Sequence, residues 1–152
     1  MHQKNQTSLR ETILNLLIPT VYLAYVIIIL KTGSLPKPAH FTPGEVLAGL
    51  AVIGGFLLWS FSYFFLPPTF YLYPQANKLV TSGPYRFLRH PIYVGAMTVF
   101  FSLSYLGHSG WAFWYTALVI LPLNVGRALW EEKILLEVFG KKYQRYQKQT
   151  FF

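Results

Sequence analysis

The chain has 152 residues, 53% of them apolar and 12% charged, with a net charge of +8; soluble domains carry about 25% charged residues. It has no cysteine and no aspartate, which excludes disulfides, thiolate nucleophiles, cysteine-metal sites, an aspartate-held magnesium ion and a Ser-His-Asp triad. The composition is that of an all-α integral membrane protein forming one domain over 1–152, with its basic residues beside apolar stretches, where they face anionic lipid head groups rather than nucleic acid.

Four apolar stretches approach the ~20 residues that a helix needs to cross a bilayer. Residues 1–66 hold two of them, from about Ile13 to Leu30 and from about Val46 to Leu66. The polar leader before the first has no small-residue cleavage site, and that span ends in Lys31, so it reads as a span rather than a signal peptide. Pro19 should kink it. In the second, Ala51 and Gly55 form a small-xxx-small pair suited to close helix packing in lipid. The segment Pro67-Pro68-Thr-Phe-Tyr-Leu-Tyr-Pro74 is aromatic and broken by prolines, as an interfacial loop would be.

The second half, 67–152, holds spans three and four, Pro91 to about Gly107 and about Trp111 to Leu129, joined by the short turn Gly107-His-Ser-Gly110. Pro122 should kink the fourth. After Glu131, Leu135, Phe139, Tyr143 and Tyr146 recur near helical spacing among lysines and arginines. That pattern predicts an amphipathic helix lying on the membrane, interrupted at Gly140. Lys and Arg crowd the leader, the segment before span three and the tail, and are absent from the 107–110 turn. The positive-inside rule therefore puts both termini and 67–90 in the cytoplasm. Lys31 and Lys37 soften this contrast without reversing it.

The most informative stretch runs Gly83-Pro-Tyr-Arg-Phe-Leu-Arg-His-Pro-Ile-Tyr-Val-Gly95. A proline fits the first turn of a helix, where no N–H donor is needed, and it keeps the preceding residue out of the α region. His90 should therefore stand at the mouth of span three, with Arg86 and Arg89 in the turn before it and Tyr93 just inside. The free N–H groups at that mouth favour an anion. Because the 107–110 turn is short, spans three and four must be antiparallel neighbours. Their outer ends then gather Arg86, Arg89, His90, Tyr93, Arg127, Glu131 and Glu132 on one membrane face. Cations and carboxylates together suit a zwitterionic ligand; no metal cluster is expected.

These residues carry a resemblance. Gly83-Pro84-Tyr85-Arg86, Arg89-His90-Pro91-Ile92-Tyr93-Val94-Gly95, Glu131-Glu132, Phe139-Gly140 and Tyr143 to Tyr146 resemble the isoprenylcysteine carboxyl methyltransferase family, which looks related to the membrane phospholipid methyltransferases. The likeness covers roughly residues 78–148. It implies an S-adenosyl-L-methionine-dependent methyltransferase in the membrane, with a cytoplasm-facing cofactor pocket and a lipid-like acceptor, such as a prenylated carboxylate, entering from the bilayer. The residues it implies for the cofactor are Leu79, Val80, Tyr85, Arg89, His90, Pro91, Tyr93, Gly95, Glu131 and Glu132. Catalytic roles would fall to Arg86 or Arg127, positioning the acceptor, and to Glu132. The family continues past its second tail tyrosine with an arginine where this chain has Gln149. Sterol reductases, which use NADPH, are similar around Arg-His-Pro, but Ile92 and Ala96 depart from their pattern. A non-catalytic lipid-binding membrane protein is the remaining alternative.

Overall fold

Prolines and short polar caps set where the helices begin. The computed structural model describes residues 9–34, 41–66 and 79–152, with side chains from residue 16 onward. Helix α1 spans Leu9–Thr32, with Pro19 inside it. Helix α2 spans Pro43–Tyr63; Thr42 caps it, and Glu45 returns the bond in a reciprocal capping box, satisfying N–H groups that the first turn leaves without partners. Glu45 also meets His108 Nε2 at 3.0 Å, which ties the start of α2 to the turn after the third helix. A single 3₁₀ turn, Gly83–Arg86, precedes α3, Pro91–Leu106. Gly83 sits at φ +60°, and a Cβ there would clash with the edge of the Phe65 ring. The predicted interfacial loop 67–74 lies outside the described residues.

Helix α4, Gly110–Phe139, is longer than expected. The sequence places a surface helix from Glu131; in the structure, residues 131–139 continue helix α4 without a break. The interruption comes only at Gly140, whose φ of +49° favours glycine. The short helix α5, Lys141–Gln147, follows. The irregularity expected at Pro122 takes the form of a π segment, Thr116–Ile120, closed by Leu121 N–H to Thr116 O. Proline 122 brings no N–H and crowds the carbonyl four residues back, so the helix takes one wide turn. Among the described residues there is no strand; the one β-bridge pairs Leu88 with Phe151.

Helices α2 and α4 are long and apolar enough to cross a membrane, and Leu16–Thr32 and Pro91–Leu106 are shorter apolar helices. The outer face of α2 leaves Leu47 67% and Leu57 61% exposed. A soluble protein would bury such a row, whereas hydrocarbon solvates it. The interior is correspondingly rich in satisfied polar groups. Tyr25 is buried among Ala96, Phe100, Ala112 and Ile120, and its hydroxyl donates to Phe100 O at 2.8 Å. Tyr22 donates to Asn124 Oδ1 at 3.0 Å, and Tyr115 to Val21 O at 3.1 Å. These bonds lock α1 onto α3 and α4, and in lipid each replaces an otherwise orphaned polar group.

The closest helix pair is α2 with α3. Gly55 and Gly95 face each other there: a Cβ on Gly95 would lie 2.7 Å from Gly55 O and 2.8 Å from Trp59 N. The expected small-residue seam on α2 is thus real at Gly55, and its counterpart is Gly95. This seam positions α3, and with it the stretch that carries His90.

Candidate functional site

The site forms where α3 begins, α4 ends and α5 folds back. His90 caps α3 outside the helical region, at φ −126° and ψ 57°, as the residue before a proline is obliged to be. Its buried ring is held between the paired glutamates. Nε2 lies 3.2 Å from Glu132 Oε1, and Nδ1 lies 3.8 Å from Glu131 Oε2. Glu132 is the hub of the cluster. It receives Arg89 Nε at 2.9 Å and the Gln147 amide at 3.3 Å. Tyr93 donates to Glu131 Oε2 at 3.5 Å, the long end of the range. Arg127, one helical turn before Glu131, lays its guanidinium 5.5 Å from the centre of the Tyr93 ring, a cation–π contact worth about 0.5–2 kcal/mol.

Burial pushes the His90 imidazole below its ordinary pKa. Glu132 pulls it back up in part, and Arg89 adds to the lowering. Because Arg89 shares the same carboxylate oxygen, that negative charge is already balanced, and the imidazole is neutral at pH 7. Its Nε2–H then donates to Glu132. Burial likewise raises the phenols of Tyr85 and Tyr143, and brings Tyr146 to about 12. All three stay protonated donors at neutral pH.

Two buried donors in this cluster make no aligned hydrogen bond. Arg89 Nε is close enough to Glu132 to pair by charge, but its N–H is not aligned to a hydrogen bond, and the Tyr143 hydroxyl, on a fully buried residue, meets nothing. Tyr146, one turn on, is satisfied by Tyr85 O at 2.6 Å. A buried unpaired hydroxyl costs about 1–3 kcal/mol.

Of the residues expected from sequence, the structure brings Arg89, His90, Pro91, Tyr93, Arg127, Glu131 and Glu132 together. Tyr85 is buried beneath α5. Leu79 and Val80 are half-buried in the stretch leading to the 3₁₀ turn. Two residues stand elsewhere. Arg86 is exposed, its guanidinium 5.9 Å from the Phe87 ring, because the tight turn that sends Tyr85 inward sends its neighbour out. Gly95 lies on the α2 seam, not among the polar groups. Sequence reasoning missed Gln147 and the inward hydroxyl of Tyr143. The three-residue spacing of Tyr143 and Tyr146, which puts both on one helical face, was the available signal.

The described residues are apolar and helical, with helices fit to span a membrane and an Arg-His-Pro cap set against paired glutamates. The phospholipid methyltransferase family profile matches residues 44–142, and the chain belongs to that family. It is similar to the methanethiol S-methyltransferase of Pseudomonas deceptionensis, 32% identical over 79 residues, which is 51% of this chain and 28% of the relative. The enzyme of the same name from Crocosphaera subtropica is 26% identical over 107 residues, 66% of this chain and 40% of the relative. That of Bradyrhizobium diazoefficiens, methanethiol S-methyltransferase 1, is 34% identical over 68 residues, 43% and 22% respectively. The chain thus spans between 22% and 40% of the length of these relatives.

Proposed function

We propose that this protein is a multi-pass membrane methyltransferase that uses S-adenosyl-L-methionine and acts on a lipid-like or otherwise apolar acceptor, with its site at the cytoplasmic face. The observation that carries the reading is the convergence of Arg89, His90, Tyr93, Arg127, Glu131 and Glu132 at one end of the α3–α4 pair. Two cations face two carboxylates there, and the buried Tyr143 hydroxyl has no hydrogen-bond partner. That set matches a ligand with an ammonium, a carboxylate and a sulfonium. Glu131 or Glu132 would take the ammonium through charge-assisted bonds. Arg89 and Tyr143 would take the carboxylate, and the rings of Tyr93 and its neighbours would face the sulfonium. When bound, this cofactor supplies a methyl group whose carbon–sulfur electron pair stays on sulfur as the acceptor's lone pair forms the new bond.

The chain's own residues do the rest by orientation and water exclusion. A carboxylate acceptor, as in a prenylated cysteine, needs no general base and is positioned by Arg127, which stands over Tyr93. The relatives' printed activity favours a second reading, a thiol acceptor. A thiol must lose its proton, and the neutral His90 imidazole is the base at hand.

Mass spectrometry of membranes incubated with methyl-labelled S-adenosylmethionine tests this. We expect label in an apolar product. No labelled product, together with binding of NADPH by the purified protein, would overturn the reading in favour of a reductase. Tyr143→Phe gives a paired signature. Losing a buried unpaired hydroxyl should stabilise the ligand-free protein by about 1 kcal/mol, raising Tm by about 2–4 °C. Losing a donor to the cofactor's carboxylate should weaken cofactor binding about tenfold or more. A variant that melts lower and binds equally well would show that the hydroxyl has a structural partner instead.

A further inference from the structure

A cavity of about 300 Å³ opens between α3 and α4 beside the polar cluster. Its walls include Tyr93, Met97, Phe101, Leu121, Val125 and Phe152, and its lining is almost wholly apolar. It shares two walls with the site. Tyr93 turns its hydroxyl to Glu131 while its ring borders the cavity. The Phe152 ring lies 5.5 Å from the His90 ring, centre to centre, and borders the cavity too.

Phe152 is not there by chance packing. Phe151 N–H donates to Phe87 O at 2.8 Å, and Arg89 N–H donates to Phe151 O at 2.9 Å. These bonds strap residues 151–152 across the segment that carries His90. The Tyr146 bond to Tyr85 O fixes the base of the strap. Tyr146, Phe151 and Phe152 lie beyond the part of the chain that the family profile matches, which ends at residue 142. No arginine at position 149 is needed to hold it, since the bonds are from the backbone.

We propose that this cavity is the subsite for the apolar part of the methyl acceptor, and that Phe152 is the specificity-determining wall that limits the size of what reaches the cluster. The proposal rests on the reading of the site as a methyltransferase centre and narrows its acceptor. A dry cavity of about 150 Å³ accepts benzene, so this one accommodates about ten to twelve carbon atoms in its walls. The ligand class is therefore an alkyl or short isoprenoid chain bearing a nucleophilic end directed toward His90 and Tyr93. The occupant is the acceptor, rather than a neighbouring helix, because the hollow abuts the polar cluster, with Tyr93 and Phe152 each touching both.

The 152 residues include no cysteine, so Met97→Cys places a single thiol in the cavity wall. Labelling of the detergent-purified protein by alkyl methanethiosulfonates, from methyl to dodecyl and benzyl, reads the size limit without any methyl transfer. Phe152→Ala should speed labelling by the bulky reagents at least tenfold relative to the methyl reagent. Phe152→Trp, which keeps an aromatic strap, should slow them. In parallel, methyl transfer to n-alkanethiols and n-alkanoic acids of graded length should shift its preferred length upward in Phe152→Ala, with cofactor affinity changed less than threefold. Equal labelling ratios in all three backgrounds would overturn the proposal. Size-selective labelling with no transfer to any acceptor would leave Phe152 as the wall and remove the methyltransferase reading instead.

Discussion

Glu132→Gln should lower the affinity for S-adenosylmethionine by between ten- and about a hundredfold. The side chain keeps its shape but loses its charge. That charge is what Arg89, at 2.9 Å, and His90, at 3.2 Å, are arranged around. A hydrogen bond to a charged group contributes about 1.5–3 kcal/mol, roughly twice a neutral one, and 1.4 kcal/mol is about tenfold in binding. Stability should fall as well, since Arg89 is left half-buried beside a neutral amide. With both side chains about a fifth exposed, solvent screens part of that loss, so the protein should still fold. Calorimetric titration with parallel thermal unfolding checks both. Glu137→Gln, on the exposed side of the same helix, is the control and should change neither. Unchanged affinity in Glu132→Gln would remove the hub from the site.

Gly95→Val should be the most destabilising single change of those considered, and it should act on the fold rather than on the cofactor. The atoms in the way are backbone: Gly55 O at 2.7 Å and Trp59 N at 2.8 Å from the position of an added Cβ. A flexible side chain could swing aside, but a facing helix cannot, so α2 and α3 must separate. Overpacking costs about 1–3 kcal/mol for modest insertions, and two methyl groups against a facing backbone belong at the top of that range or beyond. We expect Gly95→Ala to lower Tm by several degrees, Gly95→Val to lower it further, and cofactor affinity of the folded fraction to stay within threefold. Intact Tm with lost binding would instead support the cofactor role implied by the family resemblance.

The difference between these two residues shows what the sequence makes legible. Prolines and the short Gly107–Gly110 turn are local signals with fixed geometric consequences. From them follow the start of α3, the cap position of His90 and the antiparallel return of α4, and hence the convergence of His90 with Glu131 and Glu132. Which way a side chain turns within one turn of helix is not a local property. Arg86 and Arg89 look alike as flanking cations, but the 3₁₀ turn directs one to solvent while the other reaches Glu132. Gly95 sits within the motif and yet faces α2, because its neighbour across the seam is another glycine forty residues earlier. The extent of α4 was also hidden. Glu131 looks like the start of a surface helix because charge begins there. The backbone, however, is broken only by the positive φ of Gly140. The strap of residues 151–152 carries no periodic or charged signal, since two backbone bonds hold it.

The account depends on one pocket at the shared end of α3 and α4 binding an adenosyl amino acid. An experimental structure of the full chain with S-adenosylhomocysteine tests it most directly. We expect the amino-acid end of the ligand within hydrogen-bonding distance of Glu131 or Glu132 and of Arg89 or the Tyr143 hydroxyl, with its thioether beside Tyr93. A ligand seated at the opposite end of the helices, near Glu45 and His108, or one that leaves His90 and both glutamates untouched, would contradict it.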